Sequence, residues 1–235
     1  MSMVSNLFSL REQEIFRSLT ALRGCSFAII GGYAVNAYAL PRFSVDCDIV
    51  IADEAALQDI RTILTGIGYR QEHLPQDAPY PGSFLRYEKR IEHGFAVSMD
   101  VMVRNVSDRA TGALFTAEWI FAHSKMRILK GKTIPEELKL RIINADALLA
   151  MKIISCRPAD IRDIFMMLPH AQDKKWIISE VSSRYNLHDR LSKIMEKVDS
   201  KQFRDGLAGV YGRFDQKTFD QHKKALLSLR DAALE

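Results

Sequence analysis

Apolar residues recur at Leu10, Ile15, Phe16, Leu19 and Leu22 with charges between them, and that spacing predicts an amphipathic helix over 9–23. The pattern then shortens. Residues 27–30 are wholly apolar and stop at Gly31 and Gly32, which reads as a buried strand meeting a tight turn. Small residues over 33–40 favour a helix that Pro41 ends. Over 45–51 the period drops to two: Asp46, Asp48 and Val50 fall on one side, and Val45, Cys47, Ile49 and Ile51 on the other. Both aspartates therefore share one strand face. A helix over 54–66 follows, with Leu57, Ile60, Ile63 and Leu64 as its apolar stripe.

Residues 71–82, rich in Pro, Asp and Gly, predict a loop, and 84–89 with 95–103 predict a hairpin turning at 91–94. In its second arm Asp100 shares a face with Ala96, Ser98 and Met102. A helix is expected over 109–123 around Leu114, Phe115, Trp119 and Ile120, then a short strand over 126–134 before Pro135. From Asn144 onward almost every segment has helical spacing. The expected fold class is α/β, in the α+β sense: a small mixed sheet flanked by helices over 1–140, then a helical region over 141–235. No flexible linker or internal repeat separates them.

Composition adds bounds. The 235 residues suffice for a real core, and the formal net charge of +4 tolerates a polyanionic partner without demanding one. Cys25, Cys47 and Cys156 lack zinc or CxxC spacing and sit in apolar contexts, which predicts reduced, buried thiols. The six histidines show no ligand spacing. No stretch is apolar for long enough to span a bilayer, and the first residues lack the features of a secretory signal, so a cytoplasmic, non-membrane chain is expected.

An aspartate inside a strand is disfavoured by propensity and costly if buried alone. Asp46, Asp48 and Asp100 on adjacent strands would repel one another unless a cation sat among them. Oxygen-only donors select a hard ion, most simply Mg²⁺, with coordination positions left for phosphate oxygens. Gly31 and Gly32 between a strand and a helix let backbone N–H groups approach a phosphate. The GxGxxG and GxxxxGK[ST] fingerprints are absent. The plain alternatives are an Asp100 paired with Arg86 or Arg104, and a Lys152 and Arg157 on an ordinary solvated helix face.

The order of a GG pair, thirteen residues, D-C-D and a later strand aspartate resembles the nucleotidyltransferase superfamily that includes DNA polymerase beta. The string GGYAVNAYALPRFSVDCDIVI is most similar to the AbiEii-type toxin and minimal nucleotidyltransferase branches, with ALLAMKIISCRPADIRDI resembling their later lysine–arginine helix and aspartate motif. The resemblance spans roughly the first 105 residues plus that helix pair. It implies a transfer of an NMP group from an NTP to an acceptor hydroxyl on a protein, a tRNA or a small molecule. It also implies Mg²⁺ as cofactor and an antitoxin as possible partner.

By that resemblance Gly31, Gly32, Arg42, Ser44 and Lys152 contact the nucleotide, and Asp46, Asp48 and Asp100 bind the metal, Asp100 alternatively serving as general base. Lys152 would meet charge on the leaving pyrophosphate. Tyr33 stands where many relatives carry Ser or Thr, and Ser155 where the toxins favour Ala. Two rival functions remain open: a catalytically silent nucleotide- or partner-binding member of the same fold, and a nucleic-acid-binding module.

Overall fold

The computed structural model describes residues 3–72, 84–212 and 214–234. From residue 73 onward the loop expected over 71–82 lies outside the described residues, as does His73. The chain divides into two compact units, one of 1–37, 43–106 and 115–143, the other of 38–42, 107–114 and 144–235.

The first unit opens with α1 (Met3–Ala21), longer at its start than the periodicity suggests, whose Ile15, Phe16 and Leu19 are buried. Arg11 Nε donates to the carbonyl of Ala96 at 3.4 Å, and Lys89 Nζ reaches Glu14 Oε1 at 2.6 Å, fixing this helix on the sheet. There follow β1 (Ala28–Ile29), α2 (Gly31–Val35), β2 (Asp46–Ile51), α3 (Glu54–Gly66), β3 (Arg70–Gln71), β4 (Phe84–Arg90) and β5 (Ala96–Val103). The helix α3 has the bounds its stripe predicts, and Asp53 caps it by accepting from the Ala56 N–H at 2.9 Å. Next come β6 (Asn105–Ser107), β7 (Leu114–Thr116), α4 (Ala117–Ala122), β8 (Ser124–Lys130) and β9 (Glu137–Ile143).

Among the described residues seven strands form one mixed sheet in the order β3-β4-β5-β2-β1-β9-β8, while β6 and β7 pair separately. The β2–β5 and β1–β9 pairs are parallel and the other neighbours antiparallel. Cys47, Ile49 and Ile51 of β2 and Val97, Met99 and Val101 of β5 are fully buried, so hydrophobic burial on that side fixes which way the aspartates point.

Three expectations change. The helix expected over 33–40 is only α2, which begins at Gly31 and ends at Val35. The helix expected over 109–123 shrinks to α4. Asp108 Oδ2 accepts from both N–H and Oγ1 of Thr111, and Gly112 has φ +73°, so a tight turn replaces the first helical turns. Thr116 then caps α4 through the Trp119 N–H at 3.1 Å. Finally, β9 was not expected at all, although Leu138, Leu140 and Ile142 alternate and are buried.

The second unit is helical: α5 (Ala145–Ser155), α6 (Pro158–Met167), α7 (Lys174–Ser182), α8 (Leu187–Asp199), α9 (Lys201–Tyr211) and α10 (Gln216–Ala232). Asn144, Asp173, Asn186, Ser200 and Asp215 cap α5, α7, α8, α9 and α10 with their side chains. Its core gathers on Phe165, whose ring centroid lies 5.3 Å from Phe203 and 5.1 Å from Phe219. Among the described residues no helix is long and apolar enough to cross a membrane. The three cysteines are free thiols, but only Cys47, on the inward face of β2, is buried as expected; Cys25, beside the turn after α1, and Cys156, at the end of α5, are half-buried.

Candidate functional site

In the first unit the parallel register sets Asp48 directly beside Asp100, and Asp46 beside Ser98. The antiparallel register of β4 on β5 sets Arg86 beside Asp100 from the other side. One sheet face therefore carries Asp46, Asp48, Asp100 and Arg86 across three neighbouring strands.

Arg86 grips Asp100 with both arms of its guanidinium, Nε to Oδ1 at 2.8 Å and Nη2 to Oδ2 at 2.6 Å. The same Nη2 stands 3.6 Å from Asp46 Oδ2. Burial pushes the Asp100 carboxyl above the usual range, Arg86 offsets this in part, and Asp46 adds to the rise. Arg86 itself is held more firmly protonated than usual by its hydrogen bond to Asp100. Of the two partners weighed for Asp100, the register selects Arg86. Arg104 follows the strand with φ +67°, and its carbonyl accepts from the Ala117 N–H at 2.6 Å.

Gly31 closes the opposite side of this face. Its φ is +63°, and a Cβ placed on it would stand 1.9 Å from Asp48 Oδ2. The Ile30 N–H donates to the Asp48 carbonyl at 3.0 Å, tying the turn to β2. Gly31 thus permits a side-chain-free backbone surface to lie against a carboxylate, where any Cβ would drive the two apart. Gly32 is buried in the same turn, and Ser44 is buried just ahead of β2. Between the aspartates Cys47 points inward, its thiol pushed well above its ordinary value by burial first and by the flanking carboxylates second. Tyr33 is buried too, and burial raises its phenol well above the ordinary range. It presents no accessible hydroxyl in place of the Ser or Thr of the resembling families.

No family model matches the chain, and no curated protein matches it. Among solved structures, it is similar to a candidate nucleotidyltransferase from H. pylori at 14% identity, with a TM-score of 0.52, over 100% of this chain and 99% of that one. It is also similar to MenT4, a nucleotidyltransferase toxin from Mycobacterium tuberculosis H37Rv, at 14% identity and a TM-score of 0.62, over 96% of this chain and 84% of that one. The fold is that of nucleotidyltransferases. Within such a fold the expected mixed sheet with flanking helices is observed, and its aspartate-bearing strands are adjacent.

The chemistry of the donor set suits a hard divalent ion, since Asp46, Asp48 and Asp100 offer carboxylate oxygens on one face. Yet among the described residues no group of three or more His, Cys, Asp and Glu side chains is gathered at metal-holding spacing. The cation on this face is a guanidinium: Arg86 binds both oxygens of Asp100 and stands 3.6 Å from Asp46, offsetting the burial of Asp100 and its repulsion by Asp46 only in part.

In the second unit Arg42 and Lys152 belong to a different network. Arg42 donates to both oxygens of Asp163, at 2.7 and 2.6 Å, and Lys152 Nζ contacts Asp163 Oδ2 at 2.8 Å and Asp160 Oδ1 at 2.9 Å. Asp163 is fully buried, and both cations are nearly so. Burial works against the Asp163 carboxylate, but Lys152 and Arg42 outweigh it and hold the group below its ordinary value. Burial likewise works against charge on Lys152, yet Asp163 and Asp160 keep its ammonium more firmly protonated than usual. Asp160 also accepts from Ser155 Oγ at 2.5 Å and from the Arg157 N–H at 3.2 Å, closing the start of α6. The sequence reading takes Asp160 and Asp163 as part of the aspartate motif within 147–164 and misses Asp163 as the centre of this network. No local pattern reveals it, because Arg42 lies 121 residues away.

Proposed function

We propose that the chain is an Mg²⁺-dependent nucleotidyltransferase, moving an NMP group from an NTP to an acceptor hydroxyl. The observation that carries this reading is the backbone of Gly31 set against Asp48, on the sheet face that also bears Asp46 and Asp100, within a fold shared with nucleotidyltransferases. Gly31 and Gly32 would receive the triphosphate on backbone N–H groups, and Asp46, Asp48 and Asp100 would hold the ion. When bound, Mg²⁺ supplies charge neutralisation at the α-phosphate and the leaving pyrophosphate. The nucleotide-binding role expected of Arg42 and Lys152 draws no support from their surroundings, where both cations are committed to Asp163.

The likeness to a toxin motivates a toxin–antitoxin setting in the cytoplasm, with 1–140 as the catalytic core and 141–235 as a helical region. Incubation with each α-labelled NTP and Mg²⁺, followed by mass spectrometry of protein and tRNA acceptors, tests the activity. Label transfer should fall at least about a hundredfold in Asp48→Asn and Asp46→Asn. Absence of both transfer and nucleotide binding with all four NTPs would remove this reading. The silent, partner-binding alternative is favoured by one observation, the Arg86 grip on Asp100, and it predicts nucleotide or partner binding without transfer.

A further inference from the structure

We propose that Arg86 is the resident counter-ion of the carboxylate face, and that a divalent cation enters the face by taking Asp100 from it. The inference rests on reading Asp46, Asp48 and Asp100 as the metal donors. Asp100 is buried and Arg86 takes a lone pair on each of its oxygens, so while the pair is closed a metal could reach only the remaining lone pairs of a carboxylate already bound to a cation. Two cations, one of them divalent, cannot share these oxygens at contact distance without mutual repulsion. Metal and guanidinium therefore compete for Asp100.

Arg86 is built to leave. Its side chain is about one-third exposed (34%), against 5% for Asp100, so it has solvent to turn towards while the carboxylate stays fixed in the sheet. Other anions surround it: Asp46 stands 3.6 Å away, and Glu72 adds attraction from beside β4. The arriving triphosphate of a nucleotide would offer the displaced guanidinium a further anionic partner. In this arrangement Arg86 acts as a positioning residue that holds the carboxylate face together and makes metal loading depend on its own release.

The experiment measures Mn²⁺ binding to the full chain without nucleotide, by electron paramagnetic resonance of the free ion and by calorimetry. Arg86→Gln should bind Mn²⁺ at least about tenfold more tightly than wild type, because the competing cation is gone and Asp100 is released. Arg86→Lys, which keeps the charge but loses the two-armed grip, should fall between them. In an Asp100→Asn background the gain from Arg86→Gln should shrink several-fold, since the freed ligand is no longer there. Thermal melts by circular dichroism check folding, and should Arg86→Gln fail to fold, the Arg86→Lys affinity decides.

An Arg86→Gln affinity equal to or weaker than wild type overturns the exchange. If wild type binds Mn²⁺, Asp48→Asn loses it and Arg86→Gln leaves it unchanged, the metal site stands and the exchange alone fails. If no form binds the ion and Asp48→Asn changes nothing, the metal site fails and the exchange with it.

Discussion

Gly31 does its work by lacking a side chain. Its backbone sits at φ +63° with an Asp48 oxygen where a Cβ would be, so Gly31→Ala meets both left-handed strain and a collision. A cost of roughly 2–4 kcal/mol is expected in urea unfolding, from about 1–2 for the strain and the rest for the displaced carboxylate. Gly24→Ala is the control. A Cβ there meets nothing within 4 Å, and a change within about 0.5 kcal/mol is expected. The aspartates were legible at this scale because period two in D-C-D puts both on one face whatever their surroundings. Arg86 was weighed only as one of two partners for Asp100, since choosing it needs the register of two strands.

Between elements, α5 and α6 are joined through buried charge. Asp163 on α6 is fully buried against Lys152 on α5 and against Arg42, so Asp163→Asn leaves two cations without their shared carboxylate. A loss of about 3–5 kcal/mol at neutral pH is expected, read by denaturant unfolding. The sign with pH follows from the direction of the shifts. The folded Asp163 carboxyl lies below its unfolded value of 3.8, so its contribution is present above that pH and fades as pH falls through the folded value. The gap between wild type and Asp163→Asn should therefore narrow on acidification below about pH 4. Lys152 behaves in the opposite sense: raised above 10.5, it contributes fully below that pH and loses its share in strong alkali. A gap that stays constant down to pH 2 would contradict this account.

Over the whole chain the charge is unevenly spread. Residues 124–143 hold six of the Lys and Arg side chains and two of the Glu, which is the full net charge of +4, leaving the rest of the sequence balanced. These residues span β8 and β9, and β8 is a sheet edge on which Lys125 and Arg127 are exposed. Charge there guards an edge strand against chance pairing. Because this hairpin carries the chain's net positive charge, Lys125→Glu with Arg127→Glu should lower the salt needed to elute the protein from heparin, read on a linear gradient. The sequence alone determined α3, the aspartate-bearing strand faces, the glycine turn and the shift to helices near 144, because each is written in short-range periodicity or in one residue's backbone freedom. Tertiary structure decided the strand order, the β9 pairing, the Arg86 grip on Asp100 and the burial of Asp163 with Arg42 and Lys152. Those depend on which distant segments meet, and the energy of a buried charge is set by the partner that arrives beside it rather than by its neighbours along the chain.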